Sequence, residues 1–135
     1  MTLEMLVLMA GLLHFALIPA SLSVPKVLRW KEQLSMLTPL CRQVIWVHGV
    51  FVAALIVAFG VITVVFSGRI AAGQEPILTA LMGGFWLLRL GFQLAYLNPH
   101  DWPRGWWVMP ARFALTILFT FWSTVYLAVF FGVCV

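Results

Sequence analysis

Four stretches of this chain, residues 3–24, 43–66, 77–97 and 112–134, are almost wholly apolar. Each is close to the roughly 20 mostly apolar residues that a helix needs to cross a bilayer. In hydrocarbon no water pairs with the backbone, so such runs must satisfy their own peptide groups, as helices do. Composition points the same way. Of the 135 residues, 64% are hydrophobic and 9% are charged, whereas a soluble domain carries about 25% charged residues. The expected fold class is an all-α membrane protein, a bundle of four transmembrane helices forming one domain over residues 1–135.

Punctuation residues mark the ends of the spans. Pro25 follows the first, Thr38-Pro39 precedes the second, Glu75-Pro76 opens the third, Asn98-Pro99 closes it, and Pro110 opens the fourth. Proline suits the first helical turn because its missing N–H has no partner there, and a carboxylate suits the positive helix end. The N-terminal run lacks a basic leader and has Glu4 instead, so it reads as a retained helix rather than a signal peptide.

Charge sets the expected orientation. Lys26, Arg29, Lys31 and Arg42 flank the first connection; Arg104 and Arg112 flank the third, on the same side. The opposite side has Arg69 alone. Basic residues accumulate in cytoplasmic loops, so both termini are expected outside, in a membrane such as the bacterial inner (cytoplasmic) membrane. The net charge of +4 is explained by this asymmetry and by attraction to anionic headgroups, without nucleic acid as a partner. The loop between the first two spans is expected to form a short cytoplasmic interfacial helix over 25–37, with Val27, Trp30, Leu34 and Leu37 on one face. Trp102, Trp106 and Trp107 are expected to anchor the other cytoplasmic loop at the interface. Cys41 and Cys134 fall near opposite faces, too far apart to bridge.

Few polar residues interrupt the spans. At about 1.5 Å of rise per residue, Arg89 lies about 12 Å from the cytoplasmic end of its helix, His14 about 15 Å, His48 about 8 Å and Gln93 about 6 Å. Arg89 and Gln93 are four apart and share a helix face, with Trp86 one turn before and Tyr96 one turn after. If these faces turn inward, His14, His48, Arg89 and Gln93 surround a cavity open to the cytoplasm. An arginine in hydrocarbon is costly, and its planar fork of donors requires an acceptor. None of the acids, Glu4, Glu32, Glu75 and Asp101, lies deep in a span. The candidate acceptors are a ligand's phosphate or carboxylate, backbone carbonyls, water, or Asp101 folded back from its loop as a structural clasp.

The expected ligand-binding residues are thus Arg89, Gln93, Trp86 and Tyr96. The candidates for proton transfer are His14 and His48. No motif implies a metal, and no cofactor is expected, although a haem held by His14 and His48 is the one cofactor these residues could serve. Three functions compete. The first is binding, with or without transformation, of an anionic or polar-headed amphiphile such as a lipid, isoprenoid or quinone. The second is a non-catalytic subunit or assembly factor of a larger membrane complex or homo-oligomer. The third is an oligomeric anion channel or transporter. Thr116, Thr120 and Thr124, like the pairs Gly49–Ala53 and Ala54–Ala58, recur at a spacing that lets membrane helices approach closely.

Overall fold

The computed structural model describes residues 2–97 and 99–133, and no strand occurs among them. Asn98, expected to close the third span, and Cys134 lie outside the described residues. The elements are α1 (Leu3–Val27), α2 (Trp30–Gln33), α3 (Pro39–Val65), α4 (Ser67–Ala71), α5 (Pro76–Gly91) and α6 (Val108–Phe130). A wider π turn over Phe92–Tyr96 extends α5. Four helices, Leu3–Val27, Pro39–Val65, Pro76–Tyr96 and Val108–Phe130, are long and apolar enough to cross a membrane.

Helix starts follow local chemistry. Thr2 caps α1 by accepting from the Met5 amide at 3.3 Å. Thr38 caps α3, with Pro39 in its first turn, and Pro76 occupies the first turn of α5. Pro110 falls in the opening turn of α6, where backbone N–H groups have no intrahelical acceptor. Pro25 does not end α1. The helix continues through Pro19 and Pro25 to Val27 and breaks at Arg29, whose φ of 51° is left-handed.

That break corrects the helix expected over 25–37. Pro25 and Val27 belong to α1, the chain reverses at Leu28–Arg29, and the remainder is the single turn α2 followed by a tighter turn over Leu34–Met36. An ion pair between Arg29 and Glu32 spans the reversal. The turn brings Trp30 back against α3, where its ring meets Trp46 edge-on at 5.3 Å.

The helices pack as two neighbouring pairs, α1 with α3 and α5 with α6, and α1 also touches α6. Glycine permits both close approaches. A Cβ on Gly11 would stand 2.9 Å from Val64 Cγ2, and one on Gly83 would stand 2.8 Å from Leu127 Cγ. The core draws on Val7, Ala10 and Leu17 of α1, Ile56 of α3, Met82 and Trp86 of α5, and Phe119, Trp122, Tyr126 and Val129 of α6. The α6 residues recur at helical three- and four-residue spacing and so form one inward stripe.

The threonines singled out by spacing do not bridge helices, whereas Gly49 lies against the Trp30 ring. Thr116 and Thr120 return their hydroxyls to the carbonyls of Arg112 and Thr116, at 2.9 and 2.8 Å, and Thr120 and Thr124 are exposed. A hydroxyl that does join helices is that of Thr63 on α3, 2.8 Å from Tyr126 Oη of α6 and 4.0 Å from Met82 Sδ of α5. α3 is the least covered of the four long helices: 11% of its most apolar stretch is buried, against 28% or more in the others.

Candidate functional site

His14 is fully buried on α1. Its Nδ1 lies 2.7 Å from the Ala10 carbonyl, which can only accept, so Nδ1 carries the proton and donates. Trp86 Nε1, which can only donate, lies 3.2 Å from His14 Nε2. Both ring nitrogens are therefore engaged. Trp122 Nε1 donates to the same Ala10 carbonyl at 2.9 Å. The Trp86 and Trp122 rings stack at 4.4 Å, and the imidazole lies 4.3 Å from Trp122. One imidazole and one carbonyl thus tie α1 to α5 and α6.

Both His14 ring nitrogens are thus hydrogen-bonded within the bundle, Nε2 accepting from Trp86 and Nδ1 donating to Ala10. Trp86 is 2% exposed, and its indole N–H is engaged by His14.

Arg89 and Gln93 are brought together as their spacing predicts. Arg89 Nη1 donates to Gln93 Oε1 at 3.3 Å. The guanidinium carbon sits 4.8 Å from the centre of the Phe119 ring, a favourable cation–π distance, and Phe119 in turn stacks on Trp86 at 5.3 Å. The carboxylates are elsewhere. Glu32 pairs with Arg29, Glu75 pairs with Arg69 at 2.6 Å, Glu4 stands beside Gly68, and Asp101 is exposed. Among the described residues Arg89 makes no ion pair, so the clasp to Asp101 is not formed.

Gln93 is fully buried, and its Nε2 has no hydrogen-bond partner among the described residues. A guanidinium has only donors, so the amide must turn its oxygen to Arg89, which leaves the NH₂ group as the orphan. A buried donor without an acceptor costs about 1–3 kcal/mol. The pair therefore leaves one buried donor, Gln93 Nε2, without an acceptor among the described residues. It lies at the passage from α5 into the π turn, a helical irregularity often found at functional sites.

Tyr96 and His48 do not join this pair. Tyr96 is 77% exposed, its ring edge-on to Phe92 at 6.0 Å. His48, expected to face the interior with His14, is exposed on α3, because α3 turns only Ile56, Gly60 and Thr63 fully inward. Its Nδ1 meets the Val44 carbonyl at 3.0 Å. It lines an open groove of about 800 Å³ between α1 and α3, to which neither His14, Arg89 nor Gln93 contributes.

Comparison of the chain with protein families, curated proteins and solved structures finds no match. No group of three or more His, Cys, Asp or Glu side chains poised to hold a metal occurs among the described residues. Two features escaped sequence reasoning. The Ala10 carbonyl has no side-chain signature. Trp122 could have been found from the stripe Phe119–Trp122–Tyr126, which points into the core at helical spacing.

Proposed function

We propose that this chain is an integral membrane protein whose four helices form a bundle. Its 25–42 loop is cytoplasmic, and its Arg89–Gln93 pair binds the head of an anionic or strongly polar amphiphile. The single observation that supports this reading is the Gln93 amide. It is buried with an unused donor beside a guanidinium that makes no ion pair among the described residues, so one oxygen-rich group placed there accepts from both side chains. Arg89 supplies a planar fork suited to a carboxylate or phosphate. The apolar surfaces of α5 and α6 suit a hydrocarbon tail. Binding is the activity that the Arg89–Gln93 pair supports directly, since a guanidinium and an amide donate hydrogen bonds.

Purified protein in neutral detergent, titrated with oleate and, separately, with methyl oleate, tests the reading. Oleate raises the melting temperature of the parent and methyl oleate does not. Arg89→Lys, which keeps the charge but loses the fork, weakens the response. Arg89→Leu abolishes it while the protein still melts cooperatively. An equal response to oleate in the parent and Arg89→Leu sinks the proposal.

A second reading, as a subunit of a larger membrane complex or a homo-oligomer, is favoured by α3. Val47, Val50 and Phe51 are at least half exposed on that helix, at 52%, 65% and 71%. A face of this kind suits either lipid or a second apolar helix. Mass measurement in detergent separates the cases: a monodisperse monomer argues against the homo-oligomer.

A further inference from the structure

The groove between α1 and α3 ends in a second, smaller hollow of about 380 Å³, and Pro25, Lys26, Trp30 and Trp46 line both. The two hollows differ in chemistry. The larger is walled by apolar side chains of α1 and α3 such as Leu22, Val44, Val52 and Ala53. The smaller is lined by Lys26, Lys31 and Arg42.

None of these three cations has an ion-pair partner among the described residues, because Glu32, the acid of the same loop, is taken by Arg29. The left-handed Arg29 supplies the geometry. It turns the chain back so that Trp30 lies over Gly49, where an added Cβ would stand 3.2 Å from the indole. Trp30 and Trp46 meet edge-on at the boundary between the two hollows. Indole rings favour such a boundary between apolar and wet surroundings.

We propose that this groove binds one anionic phospholipid of the surrounding leaflet. Lys26, Lys31 and Arg42 hold its phosphate, and one acyl chain lies in the trough beneath Trp30 and Trp46. Charge complementarity selects the head: three uncompensated cations converge on one hollow, and basic pockets between membrane helices recognise anionic headgroups in this way. The apolar wall selects the tail, since a soluble anion leaves the trough unfilled. The volume of about 800 Å³ lies within the range of about 300–1,000 Å³ typical of ligand sites. The site shares with the Arg89–Gln93 reading only the premise that the helices stand in a membrane.

Native mass spectrometry of the protein released from detergent, with phosphatidylglycerol or phosphatidylcholine of identical chains added, provides the test. The parent retains one phosphatidylglycerol per chain in preference to phosphatidylcholine. Each cation contributes about fivefold to the affinity of a basic segment for anionic lipid, so the triple variant Lys26→Gln/Lys31→Gln/Arg42→Gln loses on the order of a hundredfold. Ala53→Trp, which fills the trough and leaves the cations in place, also loses the retained lipid, and it decides the matter should the triple variant fail to fold. Arg89→Leu retains it, which separates this site from the one on α5. Equal retention of the two lipids, undiminished retention in Ala53→Trp, or equally tight binding of glycerol phosphate without chains overturns the proposal.

Discussion

Trp86 of α5 donates its indole N–H to His14 of α1 across 3.2 Å, and both residues are buried. In hydrocarbon neither group has water as an alternative partner, so each requires the other. The bond makes a histidine near the middle of an apolar helix a structural element.

Breaking it from either side should therefore be costly, and the two costs should overlap. His14→Leu strands the Trp86 N–H, and Trp86→Phe strands His14 Nε2; each is expected to destabilise by about 1–3 kcal/mol. The double variant is expected to cost less than the two singles together. Reversible unfolding in mixed micelles measures the cycle, and strict additivity would show that the pair is not coupled.

Gln93→Glu places a carboxylate against Arg89. The guanidinium then has an internal charged acceptor, and the orphan amide donor disappears. Charge-assisted hydrogen bonds contribute about 1.5–3 kcal/mol, so the variant is expected to melt higher than the parent and to lose its response to oleate. A rise in melting temperature with the oleate response intact would place the bound head elsewhere.

Gly83→Val drives a side chain into Leu127 at the α5–α6 approach, where a Cβ alone would stand 2.8 Å away. Overpacking of this kind costs about 1–3 kcal/mol. Thr124→Val, on an exposed face of α6, is expected to change stability by less than about 0.5 kcal/mol. The same unfolding assay ranks them, and a reversed order would contradict the packing of α5 on α6.

Cys41 is exposed at the start of α3 and is a native reporter of orientation. In a Cys134→Ala background, a membrane-impermeant maleimide is expected to label Cys41 in inverted vesicles and not in intact cells. Labelling from outside intact cells would reverse the proposed topology.

The spans were legible in the sequence because apolar length is a property of composition alone. Thr38, Pro39 and Pro76 were legible because helix starts are solved locally. Pro25 misled, since a proline within a helix removes one hydrogen bond without forcing an end, and the end was set by the backbone of Arg29. The Arg89–Gln93 contact followed from four-residue spacing, whereas the unused Gln93 donor depends on what surrounds the amide in three dimensions. Gly49–Ala53 and Thr116–Thr120–Thr124 show the limit of spacing arguments. Periodicity identifies a stripe but not the direction it faces, and a threonine hydroxyl can satisfy itself on its own helix.

The double acceptor at Ala10 also bears on biogenesis. Its carbonyl belongs to α1, and one of its two donors, Trp122, belongs to α6, which is synthesised well after α1. Until α6 is made, the Ala10 carbonyl lacks its Trp122 donor and the α1 face that packs on α6 has no cover from that helix. Closing it is a natural late step of assembly, and chains ending before Trp122 should be cleared faster in a pulse–chase than full-length protein.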